Sequence, residues 1–253
     1  MLFNKFQNKY IIKGTLYALT PLHIGSGQEN FDPVLADNTV IRDHKGIPYI
    51  PGSSLKGTIR SYIERILYSG VYKGLNSCLI VNEPCVSDDD IKKIKKEIKD
   101  KNLNDKKEAE EIYSKLCSVC KLFGSNYFAS KIHIRDANLK SGEKVYIDMR
   151  DGVAIDRDTG TENNKYDFEC VSSGSKFDFY MTVDNIEDEL LEILKLIISI
   201  LKNGDFRIGG KTSAGLGSIQ LQEVKIYKIT MDNLKTYLEK GLEALEEMEW
   251  ENV

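Results

Sequence analysis

Four of the five cysteines fall into two pairs that could bind a metal ion. Cys117 and Cys120 form a C-x-x-C motif, and six residues separate Cys78 from Cys85. Four thiolates are the donor set of a tetrahedral structural zinc site. The spacing is looser than in a standard zinc ribbon, so four ordinary thiols remain the alternative interpretation, and Cys170 is a free thiol in either case.

Four glycine-bearing segments could hold phosphate groups. Glycines leave backbone N–H groups uncovered, and a turn that leads into a helix adds partial positive charge. For each segment alone a plain turn is the simpler interpretation, but several such turns at the strand and helix ends of one domain would surround one surface. The segments are HIGSG (23–27), PGSSLKG (51–57), LFG (122–124) and GDFRIGGKTSAGLG (204–217).

The last of these segments ends in Gly210, Lys211 and Thr212, as a nucleotide-binding P-loop does. The P-loop glycine required five positions before Gly210 is absent, because Asp205 stands there. The segment also leads into a predicted strand, whereas a P-loop leads into a helix. These two differences exclude a Walker-type ATPase.

Composition indicates a globular protein without a membrane span. The chain has 253 residues, of which 41% are hydrophobic, and this is enough to bury one large core. The first residues, MLFNKFQ, do not read as a signal peptide, and Glu192 and Lys195 interrupt the longest apolar run. We therefore expect a cytoplasmic protein whose cysteines stay reduced or bind metal.

The formal net charge of −4 does not by itself indicate a nucleic-acid partner, since phosphate binding favours excess lysine and arginine. Much of this charge lies at the C-terminus, where the last fifteen residues hold six glutamates against the single Lys240. Without this acidic tail the remainder is close to neutral, so a local basic face is compatible with the composition.

The periodicity of apolar residues predicts an α+β fold. Strands and helices alternate in the order strand, helix, strand, strand, helix, strand, which is the order of a ferredoxin-like unit with two helices on one face of an antiparallel sheet. Ser53 is the predicted N-cap of the first helix. The predicted strands are residues 9–19, 131–139, 176–184 and 217–229, and the predicted helices begin after Ser53 and at residue 187.

Three further segments lie outside this unit. Residues 88–115 are dense in both lysines and acidic residues at helical spacing, which predicts a solvated helical insertion. Residues 140–175 are polar and predict a long excursion, with a hairpin as one interpretation. Residues 231–248 predict a C-terminal amphipathic helix.

Several motifs together resemble the RAMP superfamily, and more specifically the backbone subunit of type III CRISPR effector complexes. The resemblance extends over residues 16–220 and does not cover the charged insertion or the acidic tail. The motifs occur in the family's order: LHIGSG, DNTVIRDHKGIPYIPGSSLKGTIRSYIE, CKLFG, IHIRDA, GVAIDRDTGTE and RIGGKTSAGLG.

The resemblance implies a single RAMP domain over residues 1–253 with an RNA-recognition-like ferredoxin core. It implies a helical insertion at 70–120 and a protruding hairpin within 140–175 that kinks the guide RNA. The partners implied are a CRISPR guide RNA, its target RNA, other copies of this chain and other subunits of the complex.

The resemblance also implies a catalytic aspartate in the loop before the first helix. On that match Asp37 would bind or position Mg²⁺ and help cleave the paired target RNA. The family commonly has proline after an Asp-Asn or Asp-Ser pair. In this chain Thr39 follows the pair of Asp37 and Asn38, so Asp32 in the same loop is the alternative catalytic residue.

The RNA contacts implied by the family pattern are donors to phosphate and sugar oxygens, which hold a strand without reading its sequence. They are His23, Lys56, Arg60, Arg135, Gly209, Gly210, Lys211 and Ser213. The family often has a zinc knuckle ahead of the LFG motif, which favours structural zinc at Cys78, Cys85, Cys117 and Cys120.

Three alternatives stay open. The first is a purely structural RNA-binding module with an inert aspartate. The second is a guide-processing endoribonuclease with His23 or His44 as general base. The third is a sugar- or nucleotide-binding enzyme, which composition does not exclude and no motif supports.

Overall fold

Strands and helices of this chain form an α+β structure, which confirms the fold class expected from the sequence. The computed structural model describes residues 2–25 and 38–249, without the side chains of Ala154 and residues 162–165. The strands are β1 (Asn8–Ala18), β2 (Ile132–Ile134), β3 (Ile147–Ile155), β4 (Glu162–Val171), β5 (Lys176–Asp184), β6 (Phe206–Arg207) and β7 (Ser218–Thr230). The α-helices are α1 (Gly52–Tyr68), α2 (Asp88–Asp100), α3 (Asp105–Lys115), α4 (Ser118–Phe123), α5 (Leu191–Asn203) and α6 (Leu234–Lys240).

Five of the strands form an antiparallel sheet in the order β2-β5-β1-β7-β6, and β3 and β4 form a separate antiparallel hairpin. In the central strand β1, Tyr10, Ile12, Leu16 and Ala18 share one face, because side chains alternate along a strand. All four are buried in the main core. This face of the sheet therefore supports the hydrophobic core.

Helices α1 and α5 supply the other side of that core. Leu55, Ile59, Ile63 and Leu67 recur every four residues of α1 and are buried. The corresponding apolar stripe of α5 runs from Ile193 to Leu201. Both stripes belong to the same buried cluster as the core face of β1, so both helices pack on the same core.

The start of α1 differs from the sequence prediction. Pro51, not Ser53, is the N-cap residue, and no side chain of the helix caps its own N-terminus. The carboxylate of Asp136 accepts a hydrogen bond from the Gly52 N–H at 2.8 Å. A carboxylate from a distant segment thus satisfies a helix N–H group that the sequence assigned to a local serine.

Gly52 should be intolerant of any side chain for a steric reason. A Cβ atom built there would lie 2.3 Å from the Ile134 carbonyl oxygen, whereas a Cβ atom at Gly57 in the same helix would contact nothing within 4 Å. We expect Gly52→Ala to destabilise the protein by about 1–3 kcal/mol. Gly57→Ala should instead be neutral or stabilising by up to about 1 kcal/mol. Urea unfolding of both variants measures this difference, and equal midpoints would contradict it.

The charged insertion consists of two helices followed by the short α4. Ser87 and Asp90 form a capping box at the start of α2, and Asn104 caps α3. The buried face of α2 is narrow, with Ile91 and Ile94. The insertion is therefore a solvated helical pair with a small apolar seam.

A buried lysine connects this insertion to the sheet region. The Lys131 side chain is fully buried, and its ammonium group donates to the Tyr113 hydroxyl of α3 at 2.9 Å and to the Asn185 carbonyl at 2.9 Å. Its ion partner is Glu187, at 2.6 Å. Burial lowers the pKa of Lys131 to about 8, and these three oxygens offset part of the cost of burying the charge.

The C-terminal helix is shorter than expected. The sequence predicts a helix over 231–248, whereas α6 ends at Lys240. Gly241 follows with a φ of +76°, which the helix cannot continue through. Met248 then pairs with Ile226 at the edge of β7.

Candidate functional site

Three excursions of the chain leave the main sheet at the same edge. Ala18, the last residue of β1, lies opposite Ile219 near the start of β7, and Tyr17 lies opposite Lys176 at the start of β5. The segment after β1, the β3–β4 excursion before β5 and the glycine-rich loop before β7 therefore meet at this edge. Below we call it the loop edge.

Two of the glycine segments are in direct contact there. The Gly210 N–H donates to the His23 carbonyl at 2.8 Å. Gly209 has a φ of +85°, and a Cβ atom at this position would lie 2.3 Å from the same carbonyl oxygen. Glycine is needed at position 209 both for its backbone conformation and for this close approach.

His23 is buried and fixed by the hairpin. Its Nδ1 lies 2.6 Å from the Glu169 carbonyl of β4, and a carbonyl only accepts, so Nδ1 carries the proton. The ring also meets Phe168 edge-to-face, with centroids 5.5 Å apart. The other candidate general base, His44, is exposed. The geometry thus gives His23 a positioning role between the first loop and the hairpin.

Lys211 extends the contact between the glycine-rich loop and β4. It has a left-handed backbone, with a φ of +56°. Its ammonium group lies over the rings of Tyr166 at 4.2 Å and Phe168 at 4.6 Å. The neighbouring Ser213 is exposed in a short 3-10 turn. A cation held on aromatic rings keeps its N–H donors available for an anion.

A carboxylate of β4 anchors the chain that leads towards α1. Glu169 is buried, and its two oxygens accept from the Val40 N–H at 3.0 Å and the Arg42 guanidinium at 2.8 Å. Its own N–H donates to the Asn38 carbonyl at 3.0 Å. Neither Glu169 nor Arg42 was a predicted site residue. They are 127 positions apart in the sequence, and no local pattern pairs a glutamate of one segment with an arginine of the other.

The two candidate catalytic residues, Asp37 and Asp32, lie outside the described residues. Asn38 is the first described residue after them, and its N–H donates to the Asp167 carbonyl of β4 at 3.3 Å. The described chain therefore begins again beside the hairpin strand that contacts His23 and Lys211.

The remaining predicted RNA contacts lie elsewhere on the fold. The Arg60 guanidinium donates to Glu64 at 2.7 Å, to the Gly124 carbonyl at 2.9 Å and to the Cys120 sulfur at 3.3 Å. Lys56, one turn earlier in α1, has its pKa lowered, first by burial and then by the Arg60 charge. Arg135 follows β2 and stacks on a tyrosine of the sheet. The described contacts therefore join His23, Gly209, Gly210 and Lys211 in one place and set the other three apart.

The four predicted metal ligands come together. The sulfur atoms of Cys78, Cys85, Cys117 and Cys120 all lie within 4.8 Å of one another, and the Cys78–Cys120 and Cys78–Cys117 sulfur distances are 3.6 and 3.7 Å. A tetrahedral zinc site with Zn–S bonds of about 2.3 Å places its sulfurs about 3.8 Å apart. The donor set and its geometry therefore fit a zinc ion.

Hydrogen bonds around the cluster suit thiolates. The Cys117 N–H donates to the Cys85 sulfur, and the Cys120 N–H donates to the Cys117 sulfur, each at 3.4 Å. Hydrogen bonding from Cys120 is the main cause that lowers the pKa of Cys117 to about 5, whereas burial raises the pKa of Cys78 to about 11. Cys170, by contrast, lies on β4 near the Asp148 carbonyl and outside the cluster.

Among residues 2–25 and 38–249, no helix is both long and apolar enough to cross a bilayer.

Comparisons with known proteins agree with the resemblance that the sequence motifs indicate. Residues 15–220 match the family model described as RAMPs, the RAMP superfamily. A protein of Methanocaldococcus jannaschii named "CRISPR system Cms endoribonuclease Csm3" is 28% identical over 232 residues, covering 87% of this chain and 81% of the relative. Proteins of the same name from Methanothermobacter thermautotrophicus and Enterococcus italicus are 26% and 28% identical over 250 and 230 residues. These two matches cover 88% and 84% of this chain, and 87% and 89% of the relatives. Since the matched family model spans most of the chain, the protein is a member of the RAMP superfamily.

Proposed function

We propose that this chain is the guide-RNA-binding backbone subunit of a type III CRISPR effector complex. The observation that carries the proposal is the contact between the His23 segment and the Gly209–Lys211 loop at the loop edge. The names of the relatives support the same assignment. Other copies of this chain and other subunits of the complex are its proposed protein partners.

We propose that the fold is the ferredoxin-like arrangement that the sequence predicts. In support of this assignment, the strand order β2-β5-β1-β7 places β5 between β1 and β2. The connection from β1 to β2 contains α1, and the connection from β5 to β7 contains α5. The ferredoxin-like unit has this antiparallel βαββαβ pattern.

The guide strand follows the loop edge. Backbone N–H groups of Gly209 and Gly210, with Lys211 and Ser213, offer donors to phosphate oxygens there, and His23 holds the loop in place. Such contacts bind any sequence, as a subunit that accepts different guides requires. The β3–β4 hairpin attaches at the same edge, and we propose that it bends the bound strand. Lys56, Arg60 and Arg135 contribute to guide binding from neighbouring surfaces. Arg60 also donates hydrogen bonds to Glu64 of α1 and to Cys120 of the cysteine cluster.

Asp37 is the proposed catalytic residue for cleavage of the complementary target RNA. Asn38, its neighbour in sequence, is hydrogen-bonded to β4 beside the proposed guide-binding residues. A bound Mg²⁺ would supply charge stabilisation at the scissile phosphate. Asp37 would bind or position that ion with a hard carboxylate oxygen, and Asp32 is the alternative residue.

The cysteine cluster is proposed to hold a structural zinc ion through Cys78, Cys85, Cys117 and Cys120. It joins the loop before α2 to the start of α4 and so closes the base of the insertion. Arg60 links this cluster to α1 through its hydrogen bonds to Cys120 and Gly124. The role of the metal is therefore to hold the insertion against the core.

Gly209→Ala is the mutation that tests RNA binding at the loop edge. The added Cβ atom must move the glycine-rich loop away from His23, at a cost of about 2 kcal/mol or more. We expect the affinity of the purified chain for a labelled single-stranded RNA to fall by about 30-fold. Fluorescence anisotropy measures this affinity.

Gly215→Ala is the matched control for this experiment. Gly215 has a φ of +88°, so alanine meets the same backbone strain, but nothing lies within 4 Å of its added Cβ atom. Its RNA affinity should fall only a few fold. Equal losses in the two variants would show that contact with His23 is not what shapes the RNA site.

A further inference from the structure

The face of the main sheet that points away from the core presents two cations beside one aromatic ring. Lys13 of β1 pairs directly with Tyr180 of β5, and the Arg135 N–H donates to the Tyr180 carbonyl. The Arg135 guanidinium lies 3.8 Å from the centre of the Tyr180 ring, and the Lys13 ammonium lies 5.6 Å from it. We call Lys13, Arg135 and Tyr180 the Tyr180 patch.

The positive charges of this patch are not neutralised by any carboxylate of the described residues. Two carboxylates of the same region have other partners, since Asp184 pairs with Lys9 at 3.1 Å and Glu223 with Lys140 at 2.6 Å. No ion pair joins Lys13 or Arg135 to any carboxylate in residues 2–25 and 38–249. Asp178 is the nearby acid on β5, where it lies opposite Thr15. Two cations that form no ion pair leave this surface attractive to an anion.

Other lysines on the same sheet differ from these two. Lys225 is paired with Glu247 at 3.2 Å, and Lys176 is paired with Glu143 at 2.9 Å. Their charges are already compensated, so they add little to an anion site. This contrast provides a matched control within the same sheet.

The stacking of Arg135 prepares it for a planar anionic ligand. The guanidinium is held by the ring and not by a carboxylate, so its N–H donors remain available. Arg135 is exposed, and Tyr180 and Lys13 are partly exposed. Single-stranded RNA bases stack on aromatic rings and on guanidinium planes, and their phosphates bind adjacent cations. A flat cation next to a second cation fits this ligand better than it fits an apolar partner.

We propose that the Tyr180 patch is a second binding site for single-stranded RNA, apart from the loop edge. One base stacks on the Arg135–Tyr180 pair, and Lys13 binds a neighbouring phosphate. The inference rests on the proposed function for the choice of RNA as ligand. It adds Tyr180 and Lys13 to the RNA-binding residues and gives Arg135 a definite place and geometry.

Affinity measurements with labelled oligouridine RNA and the purified chain test this site. Tyr180→Leu and Arg135→Gln should each weaken binding by about 5- to 100-fold, which is the range for loss of one stacked base. Tyr180→Phe keeps the ring and should bind like the unmodified protein. Lys13→Gln should lower the slope of log affinity against log salt by about 1, since it removes one phosphate contact. Lys225→Gln should leave both affinity and slope unchanged.

The outcomes separate this site from the loop edge. Full affinity in Tyr180→Leu and Arg135→Gln, together with loss in Gly209→Ala, would overturn the Tyr180 patch. It would also remove Arg135 from the proposed guide contacts, but the guide-binding function at the loop edge would stand. Loss in the patch variants with full affinity in Gly209→Ala would support the patch and remove the loop-edge site. A change in sedimentation mass in Tyr180→Leu at unchanged RNA affinity would show that the patch contacts protein, which also overturns the proposal. Thermal unfolding of each variant confirms that the folded state is being compared.

Discussion

Asp37→Asn is expected to abolish cleavage of complementary target RNA by the assembled complex while leaving RNA binding intact. Asparagine keeps the shape of the side chain but removes the negative charge that would hold Mg²⁺. Loss of metal-assisted stabilisation amounts to several kcal/mol, so the single-turnover rate should fall by at least about 100-fold. Quenched cleavage reactions with and without Mg²⁺ measure this rate.

Asp32→Asn is the discriminating variant for the same assay. If Asp37 is the catalytic residue, Asp32→Asn should cleave at close to the original rate. The reverse result would move the catalytic role to Asp32. Normal cleavage by both single variants and by the double variant would leave a structural RNA-binding subunit as the better account of this chain.

Cys117→Ser is expected to remove zinc and destabilise the insertion. Binding energy at a structural zinc site contributes directly to folding. Cys117 is buried, its sulfur lies 3.7 Å from that of Cys78, and the same sulfur accepts a hydrogen bond from the Cys120 N–H. We expect the zinc content to fall from about one ion per chain to near zero, and the melting temperature to fall on the order of 10 °C. Elemental analysis and thermal unfolding of the same preparation measure the two effects.

Cys170→Ser provides the matched control for the zinc experiment. Cys170 is also a buried thiol, but it lies on β4 outside the cluster. Its replacement should leave the zinc content unchanged. Protein purified under reducing conditions without chelator that contains no zinc would defeat the metal assignment for all four ligands.

Regular local patterns made much of the core predictable. Strand β5 occupies residues 176–184 as expected, because Phe177, Phe179, Met181 and Val183 alternate with polar residues and all four are buried. The apolar stripe of α1 was likewise visible at its spacing of four residues. Where a strand or helix buries one face, the spacing of its apolar residues in the sequence shows the period of that element directly.

Interactions between distant segments could not be predicted from local sequence patterns. The cap of α1 comes from Asp136, 84 residues away from Gly52, so the local serine was the wrong choice. Lysine is rarely buried in proteins, yet Lys131 is fully buried because Glu187, Tyr113 and Asn185 surround its ammonium group. Such partners depend on the tertiary fold and have no signature in a local window.

The candidate site was predictable in part for the same reason. The glycine segments at His23 and Gly209 were identified, but only the fold shows that they touch each other. Arg60 was expected to face RNA, and its position at helical spacing gave no sign of the hydrogen bond to Cys120. Glu169 was missed altogether, since a single glutamate in a strand predicts nothing about a buried ion pair with Arg42.

Photochemical crosslinking of a guide RNA that contains 4-thiouridine, followed by peptide mapping, tests the loop edge most directly. If the guide strand follows this edge, crosslinked peptides will include the segments around His23 and Gly209 to Ser213, in the isolated chain and in the assembled complex. Crosslinks that fall only on the charged insertion or the acidic tail, with none at either glycine segment, would contradict the account.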